Sequence, residues 1–148
     1  MRTAICLPAC LLLAGCAMST ASPQPAPPPP GTTNPAAAGL HFFVEPEVAA
    51  AGSEVTLVLD NRTAAPISYN LCSSGLEHWD GGSWQAVPDT GMCTRELRIV
   101  MPGQQARYEK ELPSPLAAGN YRYRTGVERQ AANPGFETLF SRPFAVGR

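Results

Sequence analysis

Tyr121-Arg122-Tyr123-Arg124-Thr125-Gly126-Val127 is the stretch from which the fold reads most directly. Its aromatic and basic residues alternate, so Tyr121 and Tyr123 fall on one side of an extended chain and Arg122 and Arg124 on the other, toward water. A period of two marks a β-strand with one buried face. The pattern recurs in Val55-Thr56-Leu57-Val58-Leu59-Asp60, where Val55, Leu57 and Leu59 share a side. It recurs again in 96–101, where Leu97, Ile99 and Met101 share a side and Arg98 stands opposite. Further runs rich in β-branched and aromatic residues occupy 40–44, 67–72, 76–79, 84–87, 106–112 and 137–146, the last interrupted by Pro143. Ala51-Gly52, Asp60-Asn61, Pro88-Asp89, Pro102-Gly103 and Gly119-Asn120 separate them as turns. No helical period of useful length occurs beyond residue 40. The fold class is all-β.

A count of about 7–9 short strands in a domain of this size predicts an immunoglobulin-like antiparallel β-sandwich. Three local features agree. Leu116-Ala117-Ala118-Gly119-Asn120-Tyr121 resembles the tyrosine corner of fibronectin type III and immunoglobulin-like domains, in which the hydroxyl bonds back to the chain just upstream. Trp79-Asp80-Gly81-Gly82-Ser83-Trp84 reads as a tight hairpin whose glycines supply positive φ. The phrase from Ala51 to Thr63, AGSEVTLVLDNRT, is similar to the first hairpin of many bacterial Ig-like envelope modules. Taken together, these motifs resemble a family of small bacterial Ig-like proteins, distantly similar to the intracellular proteinase inhibitor of Bacillus. The resemblance covers nearly all of 40–148 and implies a fold, because its motifs are structural.

Ahead of this domain, Arg2 and the apolar stretch 4–13 lead to Leu13-Ala14-Gly15-Cys16. The stretch is shorter than the roughly 20 residues a spanning helix needs. The tetrad resembles the lipobox of bacterial lipoproteins, which implies cleavage before Cys16 and diacylglycerol on its thiol. Residues 1–15 are then a signal peptide, and several acyl chains on one residue give stable anchoring. By the same resemblance, Ala17 in place of an aspartate implies the outer membrane and not inner-membrane retention, with the domain facing the periplasm. Residues 16–39 join the lipidated cysteine to the domain. In 17–39 seven of 23 residues are proline and none is charged or aromatic, so a disordered spacer rich in polyproline II is expected. Fully extended at about 3.1 Å per residue, it reaches on the order of 70 Å.

The same processing accounts for the five cysteines. Cys6 and Cys10 leave with the signal and Cys16 carries lipid, which leaves Cys72 and Cys93 to pair in an oxidising compartment. Such a disulfide staples the hairpin and the 88–92 loop to the end of the 67–72 run and does not bridge the two sheets. Closing this loop stabilises the fold by about 3 kcal/mol in the chain-entropy account, whose mechanism is disputed.

Little in the chain points to chemistry. A formal charge of −1 offers no basic field for nucleic acid. His41 and His78 stand without HxH, HExxH or CxxC spacing, so no metal or cofactor is expected, and the two histidines read as a strand-edge residue and a hairpin surface residue. Ser73-Ser74-Gly75 lacks the context of a nucleophile elbow. Glu45/Glu47 and Glu109/Glu111 sit two apart on strands, as solvated faces do, with Lys110 pointing the other way. Asn61-Arg62-Thr63 fits a glycosylation sequon. The expectation is a non-catalytic envelope module, binding or supporting another envelope protein. Its candidate contacts are Trp79, Trp84, Arg122 and Arg124, with the adjoining 73–75 and 88–92 loops. A proteinase inhibitor acting through the stapled loop is the alternative the resemblance implies.

Overall fold

A computed structural model describes residues 38–89, 91–130 and 135–147. Its strands are β1 (Leu40–Glu45), β2 (Val48–Ala50), β3 (Glu54–Asn61), β4 (Ile67–Tyr69), β5 (Gly75–Trp79), β6 (Trp84–Ala86), β7 (Arg98–Val100), β8 (Gln105–Glu111), β9 (Gly119–Arg129), β10 (Phe136–Phe140) and β11 (Phe144–Gly147). A 3-10 turn, Leu71–Ser73, separates β4 from β5.

The alternating stretch lies on β9, which organises the larger sheet. Tyr121, Tyr123, Thr125 and Val127 are buried inward, and Arg124 and Glu128 are exposed on the other side. One flank of β9 pairs with β10 and then β11, while the other pairs with β4 and then β5. Beyond these, β7 pairs with β4, β6 pairs with β5, and β2 lies parallel to β11. The smaller sheet has the order β1-β3-β8, all antiparallel. Val55, Leu57 and Leu59 of β3 join Tyr121, Tyr123, Val127, Leu139 and Phe144 in one core between the sheets. Each fully buried large apolar side chain contributes about 1.5–3 kcal/mol relative to exposure.

Eleven segments exceed the 7–9 strands expected, and the surplus has a simple origin. β4 and β5 form one strand path broken by the 3-10 turn, β6 and β7 form a second path beside it, and β10 and β11 a third broken before Pro143. Proline has no N–H for the ladder. At that break Ser141 donates its N–H to Tyr123 O, and Arg142 donates to Phe42 O of the other sheet. With these joined, eight paths remain and the molecule is an immunoglobulin-like β-sandwich. The tyrosine corner is formed, with Tyr121 Oη donating to Ala117 O at 2.7 Å.

Two local expectations are corrected, and one strand was not expected: the three-residue β2 carries no run long enough to read. The 67–72 run stops as a strand at Tyr69 and turns. In the 96–101 run the faces are reversed: Val100 is buried opposite Ile67, and Leu97, Ile99 and Met101 are exposed. Period-two alternation shows which residues share a side, and the register with β4 decides which side faces the core.

Leu40 opposes Asn61 at one end of the sandwich, and Gly147 opposes Ala50 at the other. The hairpin that follows Trp79 lies at this second end, since His78 is level with Tyr121.

Candidate binding face

Trp79 and Trp84 oppose each other directly across β5 and β6, with ring centres 5.3 Å apart. Both project from the outward face of the larger sheet as a cross-strand aromatic pair. The connecting turn holds itself. Asp80 donates its N–H to Ser83 O, and its Oδ1 accepts from Gly82 N at 2.8 Å and Ser83 N at 2.7 Å. Gly81 takes a φ of 99°, which glycine adopts without a Cβ clash. The amides of Ser83 and then Gly82, followed by the Gln85 side chain, hold the Asp80 carboxyl down to about 2.

Beside the tryptophans, Arg122 lies between two rings, its guanidinium carbon 4.3 Å from the Trp84 centre and 4.1 Å from that of Phe140. Its Nε donates to Glu77 Oε2 at 2.7 Å, and the side chains of Arg122 and Glu77 are only 12% and 11% exposed. Arg122 therefore does not point to water as the alternation predicted. A planar, weakly hydrated guanidinium stacks on aromatic faces, and this one is covered by them. Arg124 does reach solvent, 56% exposed, with Glu77 Oε1 3.9 Å from its Nε. The structure thus brings Trp79, Trp84, Arg122 and Arg124 onto one face, where the sequence offered a hairpin and an arginine stripe as separate features.

The disulfide joins Cys72 to Cys93, with Cα atoms 5.7 Å apart. It ties the long excursion between β6 and β7 to the 3-10 turn that interrupts the neighbouring path, a staple within one sheet as expected. Asn70 Nδ2 donates to Thr94 O at 2.7 Å and fixes the segment just past the bridge. Met92 is 98% exposed, and residue 90 lies outside the described residues. Under this loop, between the open edges of β7 and β8, runs a cleft of 290 Å³ bordered by Tyr69, Leu71, Met92, Arg98 and Tyr108. Met92 therefore belongs to a different surface from the tryptophans.

Alternation sets Lys110 opposite Glu109 and Glu111, but its role is not read from the sequence. Pointing inward from β8, its ammonium donates to Cys72 O and Ser74 O at 3.0 Å each and pairs with Asp89 Oδ2 at 2.8 Å. It is the one lysine in the chain, and that isolation among arginines was the available signal. Lys110, and then the Gly91 amide, hold the Asp89 carboxyl below its usual range.

The histidines sit apart. His41 lies on the edge strand β1, while His78 faces inward, its ring 4.8 Å from Tyr121, and is not a surface residue of the hairpin. Glu45, Glu47, Glu109 and Glu111 are exposed, and Glu45 pairs with Arg107. Among the described residues no three His, Cys, Asp or Glu side chains gather as a metal site. Asn61 of the sequon is fully buried: its Nδ2 donates to Ala65 O and Val100 O, and its Oδ1 accepts from Thr63. Cys16, the 1–15 signal segment and most of the 16–39 spacer lie outside the described residues. Among those described, no helix is long and apolar enough to cross a membrane.

Fold and face together define an immunoglobulin-like sandwich whose larger sheet turns an aromatic and arginine-lined surface outward. No known family model matches the chain, and no curated protein is similar to it in sequence.

Proposed function

We propose that the protein is an outer-membrane lipoprotein, acylated at Cys16 and facing the periplasm, whose sandwich binds another envelope protein without catalysis. One observation carries the binding role: four residues chosen from separate stretches converge on a single outward face. Tryptophan and arginine are the residue types that dominate binding energy at protein interfaces. The Leu13–Cys16 tetrad and the proline-rich spacer support the anchor. Two experiments test the proposal. Radiolabelled palmitate is incorporated into the wild-type chain and absent from Cys16→Ala, which leaves the membrane fraction. In crosslinked envelopes a defined partner is retained by wild type and lost in Trp84→Ala. Equal recovery in both removes the face from the proposal.

A second reading, proteinase inhibition, has its own observation. Met92 projects from a segment fixed on its C-terminal side by the disulfide and by Asn70, as a loop entering a protease cleft must be. Inhibition of a periplasmic serine protease at micromolar protein, abolished by Met92→Asp, is its expected result. Full protease activity at that concentration rejects it.

A further inference from the structure

The outward face of the larger sheet has a second region, away from the tryptophans. Leu97, 61% exposed, and Phe136, 78% exposed, form opposite walls of a hollow of 390 Å³ floored by Gly75, Gly126 and Thr138, with Arg124 at its rim. The backbone explains why it is open. The outermost path leaves the sheet between β6 and β7, so among the described residues no strand covers this stretch of the β4/β5 path. Gly75 has nothing within 4 Å of where a Cβ would stand, and the Phe136 ring rests on Gly126, where a Cβ would lie 2.2 Å from Cζ. An aromatic ring laid over a strand glycine is held in place without being buried.

Charge gives the hollow a direction. Among the described residues, Arg124 is the only charged one along its lining. Arg122 and Arg124 both face the single carboxylate of Glu77, at 2.7 Å and 3.9 Å. Of the two guanidiniums, Arg124 is the exposed one, 56% against 12%, so it is the one that a carboxylate arriving from solvent reaches.

We infer that this hollow anchors an extended segment of a protein partner. One aromatic or long aliphatic side chain sits between Leu97 and Phe136, and the carboxylate that follows it lies on Arg124. The inference rests on the binding role proposed above and adds the chemistry the partner must present. That carboxylate belongs to an aspartate, a glutamate or the partner's C-terminus. An anionic bilayer fits less well, because a charged membrane surface is recognised by a cluster of basic residues, and here one exposed arginine stands on a face that also exposes Glu128.

The test uses the full chain in nanodiscs and fluorescein-labelled hexapeptides read by anisotropy. One peptide ends in Phe with a free carboxylate, one in Phe amide, one in Phe-Asp amide and one in Phe-Lys amide. The two anionic peptides bind about tenfold more tightly than the other two, the scale of one charged hydrogen bond. Arg124→Gln removes that preference, and the exposed-site variant Leu97→Ser/Phe136→Ser weakens all four. Equal binding of acid and amide, no binding at millimolar peptide, or binding that survives the double variant overturns the inference. So does self-association lost in Phe136→Ser, which makes a second copy the occupant, or phosphatidylglycerol vesicle binding lost in the double variant. A crosslinked partner that depends on Trp84 while every peptide fails removes the anchor alone. Loss of both removes the binding role as well.

Discussion

Lys110 shows how much one side chain can hold in a domain whose other basic residues are all arginine. Its ammonium gathers two turn carbonyls and the Asp89 carboxylate, joining β8, the 3-10 turn and the loop after β6. Lys110→Met keeps most of the aliphatic stem and strips all three partners, so a loss of about 2–3 kcal/mol is expected in urea denaturation. The aspartates set an acid limit. Asp80 and Asp89 have folded-state values depressed below the usual one, so their contribution is fully present above the ordinary aspartate value of 3.8. It is lost as pH falls from there toward about 2, the folded value of Asp80. The urea midpoint should drop across this window, and less steeply in Asp89→Asn. From the sequence, alternation placed Lys110 opposite Glu109 and Glu111. Its partners could not be read, because all three lie on segments 20 or more residues away in the chain and meet it only through the fold.

Among the elements, the strand path shared by β6 and β7 departs furthest from regularity. It leaves the sheet after Ala86, returns at Arg98, and is tied down between by Cys93. Replacing Cys72 and Cys93 by alanine frees this excursion while the ladder around β9 stays paired. The expected cost is about 3 kcal/mol, with hydrogen-exchange protection lost at the Ser74 amide, which bonds Leu71 O beside the bridged Cys72, and kept in β9. Tyr121→Phe tests the corner more finely: it removes one hydrogen bond and leaves the ring, so about 1 kcal/mol is expected in the same assay. The long strands, the hairpin and the corner were legible because each carries a local signal: alternation, Asp-Gly-Gly, or the Gly-Asn-Tyr approach. β7 was misread because three apolar residues on one side of a short edge strand look the same whether that side faces the core or water. Only the pairing of Val100 with Ile67 distinguishes the two.

On the scale of the whole molecule, the two sheets show different exteriors. The smaller sheet presents the Glu45–Arg107 pair together with Glu109 and Glu111, a charged exterior suited to staying unpaired. The larger sheet presents tryptophans, stacked Arg122, exposed Arg124 and, beyond them, Leu97 and Phe136. Half of this contrast is legible in the sequence: the tryptophans and arginines stand out by type and spacing, whereas alternation puts Leu97 on the buried side and no local pattern marks Phe136. Grafting one charge onto the larger face, as in Phe136→Asp, should leave the unfolding midpoint within about 0.5 kcal/mol of wild type. Partner recovery from crosslinked envelopes should fall in the same variant.

The placement of Leu40 and the Trp79–Trp84 hairpin at opposite ends of the sandwich has a mechanical consequence. A pull entering at residue 38 and leaving through the hairpin runs along the strands and drags β1 lengthwise against β3. The hydrogen bonds between them lie across the strands, so their six paired positions resist together and must break together. A pull between residue 38 and Gly103, at the same end, instead opens the smaller sheet one bond at a time. Single-molecule extension should therefore show a higher rupture force with a handle at Asp80 than with one at Gly103. A domain held at one end and gripped at the other is built to transmit tension without unravelling.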